Sequence, residues 1–170
     1  MAGDIINKVA QSELITLDLT DFSKGIAIDE FDLKKFLFDG LVLKEKDFRK
    51  YLKEYDFSKY KNKTVAIFCS SQSIIPMWAY MLISSYLSDV TKSIFFGTKK
   101  IVLQKLMLEK INAIDNSCYI NKKVIVKGCG SVPLSEDLYL AITLKLQAKV
   151  KVLMFGEACS AVPVYKKRKK

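Results

Sequence analysis

Not one histidine occurs among the 170 residues. That excludes Ser-His-Asp and Cys-His catalysis, the zinc-protease motifs and every metal site that needs an imidazole. Acid–base chemistry is left to Asp, Glu, Lys, Tyr or Cys. Proline is nearly as scarce, with three residues, and no Gly/Ser tract interrupts the chain, so nothing marks a linker between domains. Long apolar runs are missing too. The longest, residues 74–87, contains Ser84 and Ser85; it is short for a bilayer and reads as a buried or interface helix, part of it available for a homodimer. No membrane association is expected. The opening "MAGDIINKVAQSELITLDLT" lacks the basic segment and continuous apolar stretch of a secretory signal. A cytoplasmic protein is therefore expected, with its four cysteines as thiols or ligands rather than disulfides.

Half of the residues are hydrophobic and 11% are aromatic, so disorder is excluded as the default. The length suits one domain with a real core. The formal charge of +10 is uneven: residues 166–170 carry five of the positive charges, which leaves +5 for residues 1–165. We expect a single domain over 1–165 and a solvated basic tail at 166–170. No recognition motif or basic helix accompanies that tail, so nucleic-acid binding is not expected.

The hydrophobic pattern predicts a short helix at 4–12, a strand at 14–19 ("LITLDL"), a helix over "FDLKKFLFDG" closed by Gly40, and a polar helix at 45–55. From Lys63 the pattern regularises. Runs rich in β-branched and aromatic residues at 64–68, 93–96, 123–127 and 150–155 alternate with helical stretches at 73–87, 98–114 and 135–148. The economical fold class is α/β: a mostly parallel sheet with helices on both faces, preceded by a mixed α+β N-terminal third.

Two apolar runs end in Cys-x-x-Val-Pro, "VIVKGCGSVP" and "VLMFGEACSAVP". Cys69, Cys129 and Cys159 each follow a predicted strand, and in one parallel sheet those carboxyl ends share an edge, the edge where open α/β sheets bind ligands. Cys118 precedes a strand and belongs at the opposite edge. Every proline follows one of the three cysteines within seven residues, an arrangement that random placement gives on the order of a few times in a thousand. Proline stiffens each loop just after its thiol, and the flanking Gly and Ser residues allow close backbone approach.

Three converging thiolates suit iron, zinc or an iron–sulfur cluster, with Asp18 or Glu157 as a further ligand. Thiol redox or persulfide chemistry fits the same residues, because a cysteine ahead of a helix N-terminus has a lowered pKa. A third possibility is an interaction module without chemistry. A nucleotide site is disfavoured, since Pro133 stands where Gly-x-Gly-x-x-Gly needs its last glycine.

The segments "AIFCSSQSIIPMWAYMLI", "VIVKGCGSVPLSEDLYLAIT" and "GEACSAVPVYK", with "ITLDLTDF" and "FLFDGLVLKEKDFR" upstream, resemble a bacterial family known as domain of unknown function 2480, over nearly the whole chain. Members resemble one another at the positions of Cys69, Cys129 and Cys159, while Cys118 looks peculiar to this chain. Their genes often stand beside iron–sulfur assembly genes, so the resemblance implies an accessory role among iron–sulfur assembly proteins. The combined expectation is a cysteine-based metal or iron–sulfur protein, homodimeric, and an accessory rather than an enzyme.

Overall fold

The computed structural model describes residues 14–128 and 130–168. The helix expected at 4–12 lies outside them. Seven strands and four α-helices are found among the described residues: β1 (Leu14–Asp18), β2 (Ile28–Asp32), α1 (Glu45–Glu54), β3 (Thr64–Phe68), α2 (Met77–Leu87), β4 (Ser93–Phe96), α3 (Lys99–Ala113), β5 (Lys123–Lys127), α4 (Glu136–Leu146), β6 (Val152–Phe155) and β7 (Val162–Lys166). The class is α/β and mostly parallel, as the alternating pattern predicts.

The strands are divided between two sheets. One has the order β1-β5-β6-β7 and the other β2-β3-β4; every pairing is parallel except β6 with β7. Backbone contacts likewise cluster into two compact units, Met1–Lys24 with Gln104–Lys170, and Gly25–Leu103. The second sheet follows from a strand that the helical reading of "FDLKKFLFDG" hides. Ile28–Asp32 pairs in register with β3, Phe31 against Ile67, and Asp32 then accepts from the Lys34 N–H to start a 3-10 turn at Leu33–Phe36. An Asp that can bond its own backbone two residues on offers the chain an alternative to the helix, and the pairing with β3 selects it.

The Gly25–Leu103 unit is built on a buried aromatic cluster: Phe31 from β2, Phe36 from the turn after it, Phe48 from α1 and Tyr60 ahead of β3. α1 presents Phe48 and Leu52, spaced i and i+4, to that cluster. α2 contributes Ala79, Ile83 and Leu87 and leaves Met77 and Met81 exposed one turn apart. This helix is therefore buried on one face only. In the other unit, α4 buries Leu138, Ile142 and Leu146 and β5 buries Val124, Ile125 and Val126, all within 3% exposure.

The two units repeat one design. β3, α2 and β4 have counterparts in β5, α4 and β6, each starting 59 residues later with no insertion. Tyr60, Asn62, Lys63, Val65, Tyr80, Ile83, Leu87, Phe96 and Gly97 recur as Tyr119, Asn121, Lys122, Val124, Tyr139, Ile142, Leu146, Phe155 and Gly156. The hydrogen bonds recur with them. Asn62 N–H reaches Val90 O at 2.8 Å and Asn121 N–H reaches Lys149 O at 2.9 Å; Gly97 N–H reaches Ile67 O at 2.9 Å and Gly156 N–H reaches Val126 O at 3.0 Å. Both asparagines sit at positive φ, 59° and 57°, a conformation Asn tolerates better than other side-chain-bearing residues. A leading strand completes each unit: β1 ends in Asp18, which caps Thr20, as β2 ends in Asp32, which caps Lys34.

Candidate functional site

Cys69 leaves the carboxyl end of β3 directly and is partly buried. Its Sγ lies 3.2 Å from Ser71 Oγ. The loop is held by Asp32, whose two oxygens accept from Ser70 N–H at 3.0 Å and Ser70 Oγ at 2.6 Å. Burial pushes the Asp32 carboxyl up, but the Ser70 hydroxyl and the Lys34 and Ser70 amides more than reverse this, so its pKa is lowered. Burial, followed by the neighbouring Cys69, raises that of Tyr80.

Because its folded pKa is depressed, Asp32 contributes stability above the ordinary carboxylate range, near pH 4, and loses it as pH falls through the folded value. Asp32→Asn is expected to lower the denaturant midpoint at pH 7 and to flatten the acid limb of the wild-type profile below about pH 4. Parallel acid limbs in the two proteins would show that Asp32 is not the clamp on the Cys69 loop.

In the other unit, β5 and β6 are parallel neighbours, so the chain segments that follow them leave from adjacent points. Lys127, at the end of β5, lies 3.6 Å from Asp18 Oδ2 and 3.7 Å from Glu157 Oε1. The two carboxylates singled out in the sequence thus meet on one ammonium, and a cation bound by either would require Lys127 to move. Desolvation raises the Asp18 pKa, yet the Thr20 hydroxyl and amide, with Lys127, bring it below the usual carboxylate value.

Cys159 lies two residues beyond Glu157 in the β6–β7 turn and is exposed. Cys129, two residues after Lys127 in sequence, lies outside the described residues. Cys118 is exposed in the turn Ser117–Tyr119 ahead of β5, the opposite end from Cys159. The sequence reading placed Cys69, Cys129 and Cys159 on the edge of one sheet; β3 belongs to the second sheet, so Cys69 leaves a different edge from Cys159. Among the described residues, no group of three His, Cys, Asp or Glu side chains is disposed to hold a metal.

The two Cys-x-x-Val-Pro segments have different fates. Pro133 lies in the loop leading to α4, whereas Pro163 is inside β7. The 59-residue correspondence sets Cys69 opposite Gly128 and Ser70 opposite Cys129. A Cβ on Gly128 would collide with the Tyr139 hydroxyl and Leu134 Cδ1, so the space occupied by a thiol-bearing carbon in one unit is taken by a tyrosine in the other.

Sequence reasoning missed Lys127 and Asp32. A signal existed for the second: "LDLTDF" and "FDLKKF" share an Asp-Leu after a strand and a Phe three residues on. Among the described residues no helix is long and apolar enough to cross a membrane.

Neither the curated proteins nor the solved structures hold a match to this chain. A family model, Protein of unknown function (DUF2480), matches residues 3–167; with nearly its whole length covered, the chain belongs to that family.

Proposed function

We propose that this protein binds a metal ion or an iron–sulfur cluster through cysteine thiolates, in the cytoplasm, as an accessory to iron–sulfur assembly rather than as an enzyme. The observation that supports this reading is the adjacency of the segments following β5 and β6, spanned by the Lys127–Glu157 contact at 3.7 Å. Cys129 and Cys159 stand on those two segments, two residues beyond Lys127 and Glu157 respectively. Thiolates select iron, zinc and iron–sulfur clusters, and the amide of Gly130 next to Cys129 in sequence suits the outer hydrogen bonds that such sites use. The exposed Met77 and Met81 of α2 are the residues on which the proposed homodimer closes.

Anaerobic purification followed by metal and acid-labile sulfide analysis tests this. Iron or zinc at stoichiometric level is expected in the wild type, lost in Cys129→Ser and Cys159→Ser and retained in Cys118→Ser. Equal metal content in all variants, or none in any after reconstitution, defeats the proposal. A second reading, thiol or persulfide handling, is favoured by the contact of Cys69 Sγ with Ser71 Oγ at 3.2 Å. Rapid, selective alkylation of Cys69 in metal-free protein would support it.

A further inference from the structure

The basic run that the sequence presents as a tail is partly built into the sheet. Lys166 is the last residue of β7 and pairs with Val152 of β6, which in turn pairs with Lys123 of β5. One step toward the amino edge, Lys151 N–H donates to Lys122 O at 2.8 Å, and Lys167 N–H donates to Lys151 O at 3.0 Å. Lys122, Lys151 and Lys167 therefore lie side by side across three neighbouring strands, spaced by about 4.8 Å of backbone. Exposed Lys149 and Arg168 flank them. None of these cations takes part in an ion pair among the described residues. Lys167 Nζ donates to an amide oxygen, Asn121 Oδ1, at 3.3 Å, and Asp115 ahead of β5 accepts from the Ser117 N–H and hydroxyl.

The other unit shows what a balanced version of this edge looks like. Lys63, the counterpart of Lys122, is paired with Asp29 at 2.8 Å. The position corresponding to Asp29 in the first unit, opposite Val124, is Ile15. Among the described residues, this edge has no carboxylate at the position Asp29 holds in its repeat, and it has the cations of β7 in addition. Like charges at this spacing repel one another, and a polyanion relieves that repulsion while releasing its own counterions.

We propose that this lysine row is a binding surface for the phosphate backbone of a nucleic acid. Strand pairing fixes the backbone positions of these lysines side by side. The exposed apolar Phe155 and Val162 pair at the far end of the β6–β7 hairpin, and nearer the row Ile120 and Val164 are exposed, two aliphatic side chains and not the broad apolar face with which an amphipathic helix enters a bilayer.

The test is fluorescence anisotropy with a labelled single-stranded DNA of about 20 nucleotides across ~50 to ~200 mM salt. Binding that weakens steeply with salt is expected. Lys151→Glu with Lys167→Glu is expected to reduce affinity by about tenfold or more and to make the log–log salt slope shallower by about 1.4, the value for two lost single-strand phosphate contacts. A control with the same charge change in the other unit, Lys61→Glu with Lys92→Glu, retains the wild-type slope. Absence of binding at low salt, equal losses in the two double variants, or binding to phosphatidylserine vesicles but not to DNA would each overturn the proposal.

Discussion

Phe31→Ala is expected to cost about 3–5 kcal/mol, the range for removing a buried aromatic ring, and to lower the melting temperature by about 10 °C. The ring is 2% exposed. It stacks on Phe36 at 5.3 Å and Phe57 at 6.5 Å and meets Tyr55 and Tyr60 at 5.6 and 6.0 Å. Four rings from the turn after β2, the end of α1 and the approach to β3 thus share one partner. Truncation opens a cavity between groups anchored on different elements, which limits collapse into it. Phe31 also stands one residue from Asp32, the clamp on the Cys69 loop, so the variant should expose Cys69 to alkylation earlier in a denaturant series. A melting shift under about 3 °C would mean that the aromatic cluster repacks around the gap and is not the keystone of this unit.

The parts of the fold legible in sequence are those whose signal is local. β3, β5 and α3 fall where the hydrophobic pattern puts them, within a residue or two, because β-branched runs and helical periodicity report directly on local geometry. Ile28–Asp32 was illegible for the opposite reason: its strand character comes from pairing with β3, and only its Ile28 and Phe31 are buried. Missing that strand hides the second sheet, and with it the fact that Cys69 belongs to a different edge from Cys159. The Cys-x-x-Val-Pro echo was conspicuous but relates a helix-entry loop to a hairpin, whereas the structural repeat is carried by residues scattered 59 apart, such as Asn62 with Asn121 and Gly97 with Gly156. Those residues recur because of backbone conformation, which side-chain hydrophobicity does not report. Lys127 was missed because its value depends on Asp18 and Glu157, distant in sequence and brought together by the order β1-β5-β6.

Gly156→Ala is expected to destabilise the protein by about 2–3 kcal/mol, toward the upper end for one residue held in a disfavoured backbone region. Gly156 ends β6 at φ 117°, and a Cβ there would stand 3.2 Å from the backbone oxygen of Ser160. The strain has no easy release. Gly156 N–H is bonded to Val126 O at 3.0 Å, and Ser160 N–H to Glu157 O at 2.9 Å, so moving either side of the turn breaks a hydrogen bond. Gly25, at φ 73° with nothing within 4 Å of its would-be Cβ, is the matched comparison; Gly25→Ala is expected to cost about 1–2 kcal/mol, the left-handed penalty alone. Between Gly156 and β7 lie both Glu157 and Cys159, so the same change should loosen the Lys127–Glu157 contact and, with it, any metal held at Cys159. Chemical denaturation of the two alanine variants, paired with metal analysis, separates these effects. Equal destabilisation by both would mean that the Ser160 contact is relieved by a small shift of the turn, and the Gly156 turn would then not be the element that fixes Cys159.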